Sequence, residues 1–232
     1  MGEIVSYYSN AGLSEGGSSE GYLARPASGA GPGVVVIQEW WGLVPHIKSL
    51  ADRFAKAGFV ALAPDLYHGE QASEPDEAGK LMMGLAMDQA AKDIAGAATY
   101  LTGLDGVTDR VGTVGFCMGG SLALWSATLS PKIVATVGFY PPVPWERMSP
   151  TWSNYAGKAA LIHCSEHDGT SAAPGIKTAV QAITEAGGEC ITYDYPGTDH
   201  AFFNDDRPEV YHASAAATSW ARTIEFLRNR LG

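Results

Sequence analysis

Basic residues are scarce in this chain: Lys and Arg total 15 against 25 Asp and Glu, a formal charge of −10 over 232 residues. The few cations are scattered, which argues against nucleic acid as a partner. Long apolar runs are missing too. No stretch approaches the roughly 20 residues that span a bilayer, and the N-terminal stretch is polar and glycine-rich without an apolar leader. A soluble, cytoplasmic protein with no membrane partner is the expectation. Cysteines number three, at 117, 164 and 190, an odd count with no CxxC pair and no His/Cys cluster at zinc spacing. Disulfides and structural zinc are disfavoured, and the sequence implies no metal and no cofactor. Internal repeats are absent.

What is present is enough apolar material, 46% of residues, to bury one sizeable core. Short β-branched runs recur at wide intervals: Val34 to Ile37, Phe59 to Leu62, Val111 to Phe116, Ile133 to Phe139, Ala159 to Cys164 and Ile191 to Tyr195. Between them lie stretches with helical spacing, Val44 to Ala57, Glu74 to Leu101, Met118 to Leu129, Ala172 to Ala186 and Pro208 to Leu231. The alternation predicts an α/β fold, a mostly parallel central sheet flanked by helices on both faces, as one domain over residues 1–232. Glu3 to Tyr8 and Gly21 to Arg25 predict an edge hairpin joined by a Gly/Ser-rich loop, Gly12 to Ser19. Cys164 and Cys190 fall inside strand-like runs and read as core thiols.

Cys117 is different. It stands in Gly115-Phe-Cys-Met-Gly-Gly120, at the end of an apolar run and the start of a helical one. A strand that turns sharply into a helix can hold a nucleophile at its tip only if the residues two before and two after are small, and Gly115 and Gly119 meet that demand. The helix N-terminus behind such a thiol favours thiolate and can bind the oxyanion of acyl transfer. A thiol nucleophile also needs a base, and the base needs an acceptor that fixes its tautomer. Two loops after strands supply candidates, Ser165-Glu-His-Asp168 and Pro196-Gly-Thr-Asp-His200. His200 follows the last predicted strand and precedes a terminal helix, the position expected of the base. Asp168 is preferred as its acceptor over the rivals Glu166, Asp194 and Asp199. His46, His68, His163, His167 and His212 read as structural.

The order Cys117, Asp168, His200 is that of α/β-hydrolases, and the chain resembles one branch of that fold, the dienelactone hydrolases. The resemblance runs from Gly21 to Leu231. It is carried by Gln38-Glu-Trp-Trp-Gly42, Ala63-Pro-Asp-Leu-Tyr67, the Cys117 elbow, Asp168 and Asp199-His-Ala-Phe202. It implies that Glu39 holds the resting thiol protonated until substrate displaces the carboxyl. By position it implies oxyanion donors at the backbone N–H groups of Trp40 and Met118. Family members that open dienelactones carry two arginines that clamp a substrate carboxylate, where this chain has Gly69 and Asn204. His68 and Arg207 are the nearest candidates to replace them, although an imidazole does not reproduce a guanidinium fork. Aromatic and polar rings from strand-end loops, Trp41, Tyr67, His68, Tyr140 and Phe202, are the expected pocket walls beside Trp40.

The sequence therefore reads as a metal-free hydrolase of small-molecule carboxylic esters or lactones, with a Cys117-His200-Asp168 triad and a thioester acyl-enzyme. Two alternatives stand beside it: a broad carboxylesterase or thioesterase, and a thiol redox sensor or idle binding domain on the same fold. Oligomeric state, and whether 141–158 forms a lid or a rim, are not legible.

Overall fold

Among the residues described by the computed structural model, 2–9, 17–142 and 145–232, eight strands form one sheet. β1 (Glu3–Ser9) and β2 (Gly17–Ala24) pair antiparallel at one edge, as the N-terminal hairpin was expected to. Most of the Gly/Ser-rich connection between them lies outside the described residues. β3 (Gly33–Ile37), β4 (Val60–Pro64), β5 (Val111–Phe116), β6 (Ile133–Phe139), β7 (Ala159–Ser165) and β8 (Glu189–Tyr195) follow, and the sheet order is β1-β2-β4-β3-β5-β6-β7-β8. β2 meets β4 antiparallel, and from β4 to β8 every pairing is parallel. The central strands β3, β4 and β5 have no exposed residue, which is why their sequences are unbroken apolar or small runs with no polar-out alternation.

Helices cover both faces. α1 (Pro45–Lys56), α2 (Pro75–Gly84) and α5 (Pro174–Glu185) each open on a proline, whose missing N–H would have had no intrahelical partner there. α3 (Met87–Thr102), α4 (Met118–Ser126) and α5 pack on one face through Ile94, Leu101, Leu122, Trp125 and Ile183. On the other face α1 and α6 (Ala213–Leu231) bring Leu50, Phe54, Ile224 and Leu227 against Val34, Val36 and Val137. Every residue of α4 is buried, so it has no polar face to show. No helix among the described residues is long and apolar enough to cross a membrane.

The stretch 74–101, expected as one helix, is two. Leu85 leaves helical geometry at φ −58°, ψ 118°, and the Arg147 guanidinium donates to the carbonyls of Met82, Met83 and Leu85 that the break sets free. The break is thus stabilised by a residue far along the chain. The terminal helix begins at Ala213, later than Pro208, with His212 as its N-cap accepting from the Ala215 N–H. In 141–158, where Val143 and Pro144 lie outside the described residues, two short 3₁₀ turns, Trp145–Arg147 and Trp152–Tyr155, are tied down. Trp145 Nε1 donates to the Gly175 carbonyl over 2.8 Å and its ring packs edge-on against Trp152. These contacts tie the described part of the segment to α5.

From β3 the chain steps outward to β4, then crosses back over β3 to place β5 on its other side. The connections leave in opposite directions between β3 and β5, which is where an open parallel sheet has its crevice. Glu39 and Trp40 follow β3, and Cys117 follows β5.

Candidate functional site

Cys117 occupies φ 52°, ψ −124°, a conformation an L-residue holds only where its surroundings impose it. The surroundings are backbone. A Cβ on Gly115 would stand 1.8 Å from the Gly119 carbonyl oxygen, one on Gly119 would stand 2.4 Å from the Gln38 carbonyl oxygen, and one on Gly120 would stand 2.7 Å from that of Phe139. Only glycine allows α4 to start this close to the ends of β3, β5 and β6. Cys117 N–H donates to the Phe139 carbonyl over 3.1 Å, and its own carbonyl accepts from Gly120 over 2.8 Å. The elbow is therefore clamped on both sides while the thiol stays partly exposed.

The ends of β7 and β8 bring the next two groups together. Nδ1 of His200 lies 2.8 Å from Oδ2 of Asp168, and Ser165 donates to the same carboxyl oxygen. Burial works against the Asp168 carboxylate, but the hydrogen bonds from His200 and Ser165 outweigh it and hold the carboxyl below its usual range. Burial also works against a charged His200. The hydrogen bonds to Asp168 and to the Cys117 thiol prevail, and the imidazole is raised to about 10. With Nδ1 given to Asp168, Nε2 is left for the sulfur.

Each rival carboxylate has another partner. Asp199 lies 2.5 Å from His167 Nδ1, Asp194 accepts from the backbone and hydroxyl of Ser171, and Glu166 accepts from the Gly197 N–H. His163 is enclosed between Tyr195 and Thr223, and burial pushes it down to about 3, a neutral structural histidine. Burial likewise pushes Cys164 and Cys190 up to about 12, as suits packed thiols.

Glu39 is buried at 2% exposure. Burial raises its pKa, and the Asn204 hydrogen bond, with the charges of His200 and Arg207, offsets this only in part. Oε2 accepts from Asn204 Nδ2 over 3.0 Å. Oε1, like the hydroxyl of Tyr140, is buried without a hydrogen-bond partner among the described residues. Tyr140 sits at φ 37° with its ring edge-on to His200 at 5.0 Å, and burial followed by the charges of Glu39 and Cys117 raises its phenol well above the ordinary value. Asn204 was legible only as the place of a missing arginine. Its hold on Glu39 has no local sequence signal.

The expected pocket residues separate. Tyr67 is buried with its hydroxyl 3.6 Å from the Met118 sulfur, and Trp41 stands half-buried, edge-on to Trp40. Phe202 is fully buried, packed against Tyr140 and Tyr195, and supports the site from behind. His68, at φ 52°, turns to the buried Asp93, 3.1 Å from its Nε2. Arg207 pairs with Glu209. Neither stands free to replace a carboxylate clamp. Cavities of about 280, 330 and 370 Å³ lie around the site, the first reached past Met118, the second lined by Tyr67 and His68, and the third reached past Tyr140 and Asp168. One group of side chains has metal-ligand spacing among the described residues, His46 with Asp205 and Asp206. Arg53 lies 3.6 Å from Asp205 there, so the cluster reads as ion pairing that ties α1 to the loop after His200.

A family model described as the dienelactone hydrolase family matches residues 19–231. Protein usf of Aquifex pyrophilus is 33% identical, with all of both chains covered. A protein of Aquifex aeolicus provisionally named carboxymethylenebutenolidase is 30% identical over the full length of both. A solved structure from Klebsiella pneumoniae, provisionally described as a dienelactone hydrolase, superposes with a TM-score of 0.78 at 27% identity, covering 97% of this chain and 99% of that one.

Proposed function

The chain belongs to the dienelactone hydrolase family, hydrolases of the α/β-hydrolase fold, and from that premise we propose that it cleaves carboxylic esters or lactones through Cys117, His200 and Asp168. The observation that carries this reading is the line from Asp168 through His200 to a thiol on a positive-φ elbow.

In acylation the Cys117 thiolate attacks the substrate carbonyl carbon, and the oxygen takes up the electron pair as an oxyanion. Met118 is the first residue of α4, so its N–H is one of the unpaired donors of a helix start. Gly119 lies against the end of β3, and Trp40, in the loop just after that strand, is taken by its position as the second donor. These two backbone groups bind the oxyanion. The His200 imidazolium then gives its proton to the departing alkoxide, leaving a thioester on Cys117. In deacylation His200 takes a proton from water, the hydroxide adds to the thioester carbonyl, and the sulfur leaves as thiolate beside a re-formed imidazolium. Asp168 keeps Nδ1 protonated throughout.

Glu39 is a gate in this scheme. A protonated carboxyl buried beside the thiol offers Oε1–H as a donor and no negative charge to repel a thiolate, while its ionised form opposes one. Because Gly69 and Asn204 replace the family's arginines, and His68 and Arg207 are engaged elsewhere, the substrate is an uncharged ester or lactone. A redox sensor would not need an imidazole held in one tautomer by a carboxylate.

The test is hydrolysis of a panel of aryl esters, thioesters and lactones, neutral and carboxylated, by the wild type and Cys117→Ala. Turnover lost in the variant, with neutral substrates preferred, is the expected result. No turnover by the wild type across the panel removes the reading.

A further inference from the structure

Five of the chain's six methionines, Met82, Met83, Met87, Met118 and Met148, line the single cavity of about 280 Å³ beside α4. They come from the α2–α3 break, the start of α4 and the residue just after the turn Trp145–Arg147. Three distant segments thus deliver the same side chain to one space. Apolar side chains gathered in one concavity open to solvent mark a binding groove, where scattered ones would not.

The two polar side chains of its lining are already engaged. Ser121 donates to the Pro142 carbonyl over 2.7 Å, and Arg147 to the carbonyls of Met82, Met83 and Leu85. The lining has no carboxylate, so a buried cation would go unpaired, and its one cation, Arg147, is exposed at the edge and bonded to backbone carbonyls, which leaves the interior of the cavity apolar. Thioethers on unbranched side chains reshape at small cost around an apolar guest. The volume falls just below the range usual for drug-sized ligands, which favours a slender chain over a ring system. Met83, at 67% exposure, marks a mouth open to solvent.

Met118 links this space to the nucleophile. It follows Cys117 directly, and its side chain meets Tyr67 on one side and the cavity on the other. We propose that the methionine-lined cavity binds an unbranched, uncharged alkyl chain of the ester substrate. This rests on Cys117 being the hydrolytic nucleophile, and it adds where the rest of the substrate lies.

Two series of esters test it, 4-nitrophenyl esters of straight-chain acids from acetate to decanoate and acetates of straight-chain alcohols. In one of them kcat/KM should rise, by at most about fourfold per methylene, until the cavity is full. The series that rises shows whether the chain belongs to the acyl or the alcohol side. Met87→Trp and Met148→Trp should cut the ratio of long-chain to acetyl turnover at least about tenfold, since an indole would occupy the space of several methylenes. Flat series, or a rise indifferent to both substitutions, overturn the proposal.

Binding is read separately by NMR of [methyl-¹³C]methionine protein titrated with 2-decanone, a chain that cannot be hydrolysed. The Met87 and Met148 methyl signals should shift, and should do so less in Met87→Trp or Met148→Trp protein at the remaining methionine. Unmoved signals at saturating ketone overturn the proposal. Failure of every ester in the wild type, with these shifts present, would instead sink the Cys117 reading and leave the cavity as an alkyl-binding site.

Discussion

The side-chain amide of Asn204 donates to Oε2 of Glu39 over 3.0 Å, joining residues 165 positions apart at the floor of the site. The bond orients a buried carboxyl whose Oε1 has no hydrogen-bond partner among the described residues. If Glu39 gates the thiol, Glu39→Gln should speed alkylation of Cys117 by iodoacetamide, up to about tenfold at neutral pH, the equivalent of one unit of thiol ionisation. Asn204→Leu should speed it too, because the lost donor had favoured the ionised carboxylate that opposes a thiolate. Equal rates in all three proteins would remove Glu39 from the site.

Cys117→Ala should lower kcat by at least about 10³-fold, and Asp168→Asn by about 10³–10⁴-fold through loss of the productive tautomer. Both variants should keep the wild-type denaturation midpoint within a small shift, because neither side chain fills the core. His200→Asn should leave the thiol unacylated, which mass spectrometry of the enzyme mixed with an activated ester would detect as a missing acyl adduct.

The pH profile follows from His200. Its pKa rises on folding from an ordinary 6.5 to about 10, so the folded chain binds this proton more tightly than the unfolded one. The associated stabilisation is complete below about pH 6.5 and is lost as pH climbs through 10. Acylation needs the imidazolium as acid, so kcat/KM should fall on an alkaline limb centred near pH 10. A limb near 7 would show that the imidazolium is not held by Asp168 and the thiolate.

Gly115→Ala places a methyl group 1.8 Å from the Gly119 carbonyl oxygen. A Cβ has no rotamer to turn it away from a backbone oxygen, so the variant should lose at least about 3 kcal/mol of stability. Urea unfolding at unchanged m-value reads this directly. A loss below about 1 kcal/mol would mean that the elbow relaxes without the close approach.

Local signals made much of this legible. β-branched runs without a polar face marked the buried strands, and the glycines around Cys117 marked a turn that no other residue permits. Asp168 and His200 announced themselves by standing just beyond strands β7 and β8. What escaped was set by distant partners. Glu74 to Leu101 has continuous helical spacing, and the carbonyls freed at its break are bonded by Arg147, some 60 residues on. His68 lines a cavity of about 330 Å³ with Tyr67, but its approach to Asp93, on a helix across the sheet edge, has no local sequence signal. Asn204 could be noticed only for what it replaced.

The elbow precedes the strand ends that carry its partners, and this fixes the order in which the ribosome supplies the site. Glu39 is made first, then the thiol, and the imidazole emerges roughly 80 residues after the thiol, on the order of ten seconds later at ordinary synthesis rates. A nascent or truncated chain therefore carries the carboxyl and the thiol before it carries the imidazole, and under the proposed mechanism it can hydrolyse nothing until His200 has been added.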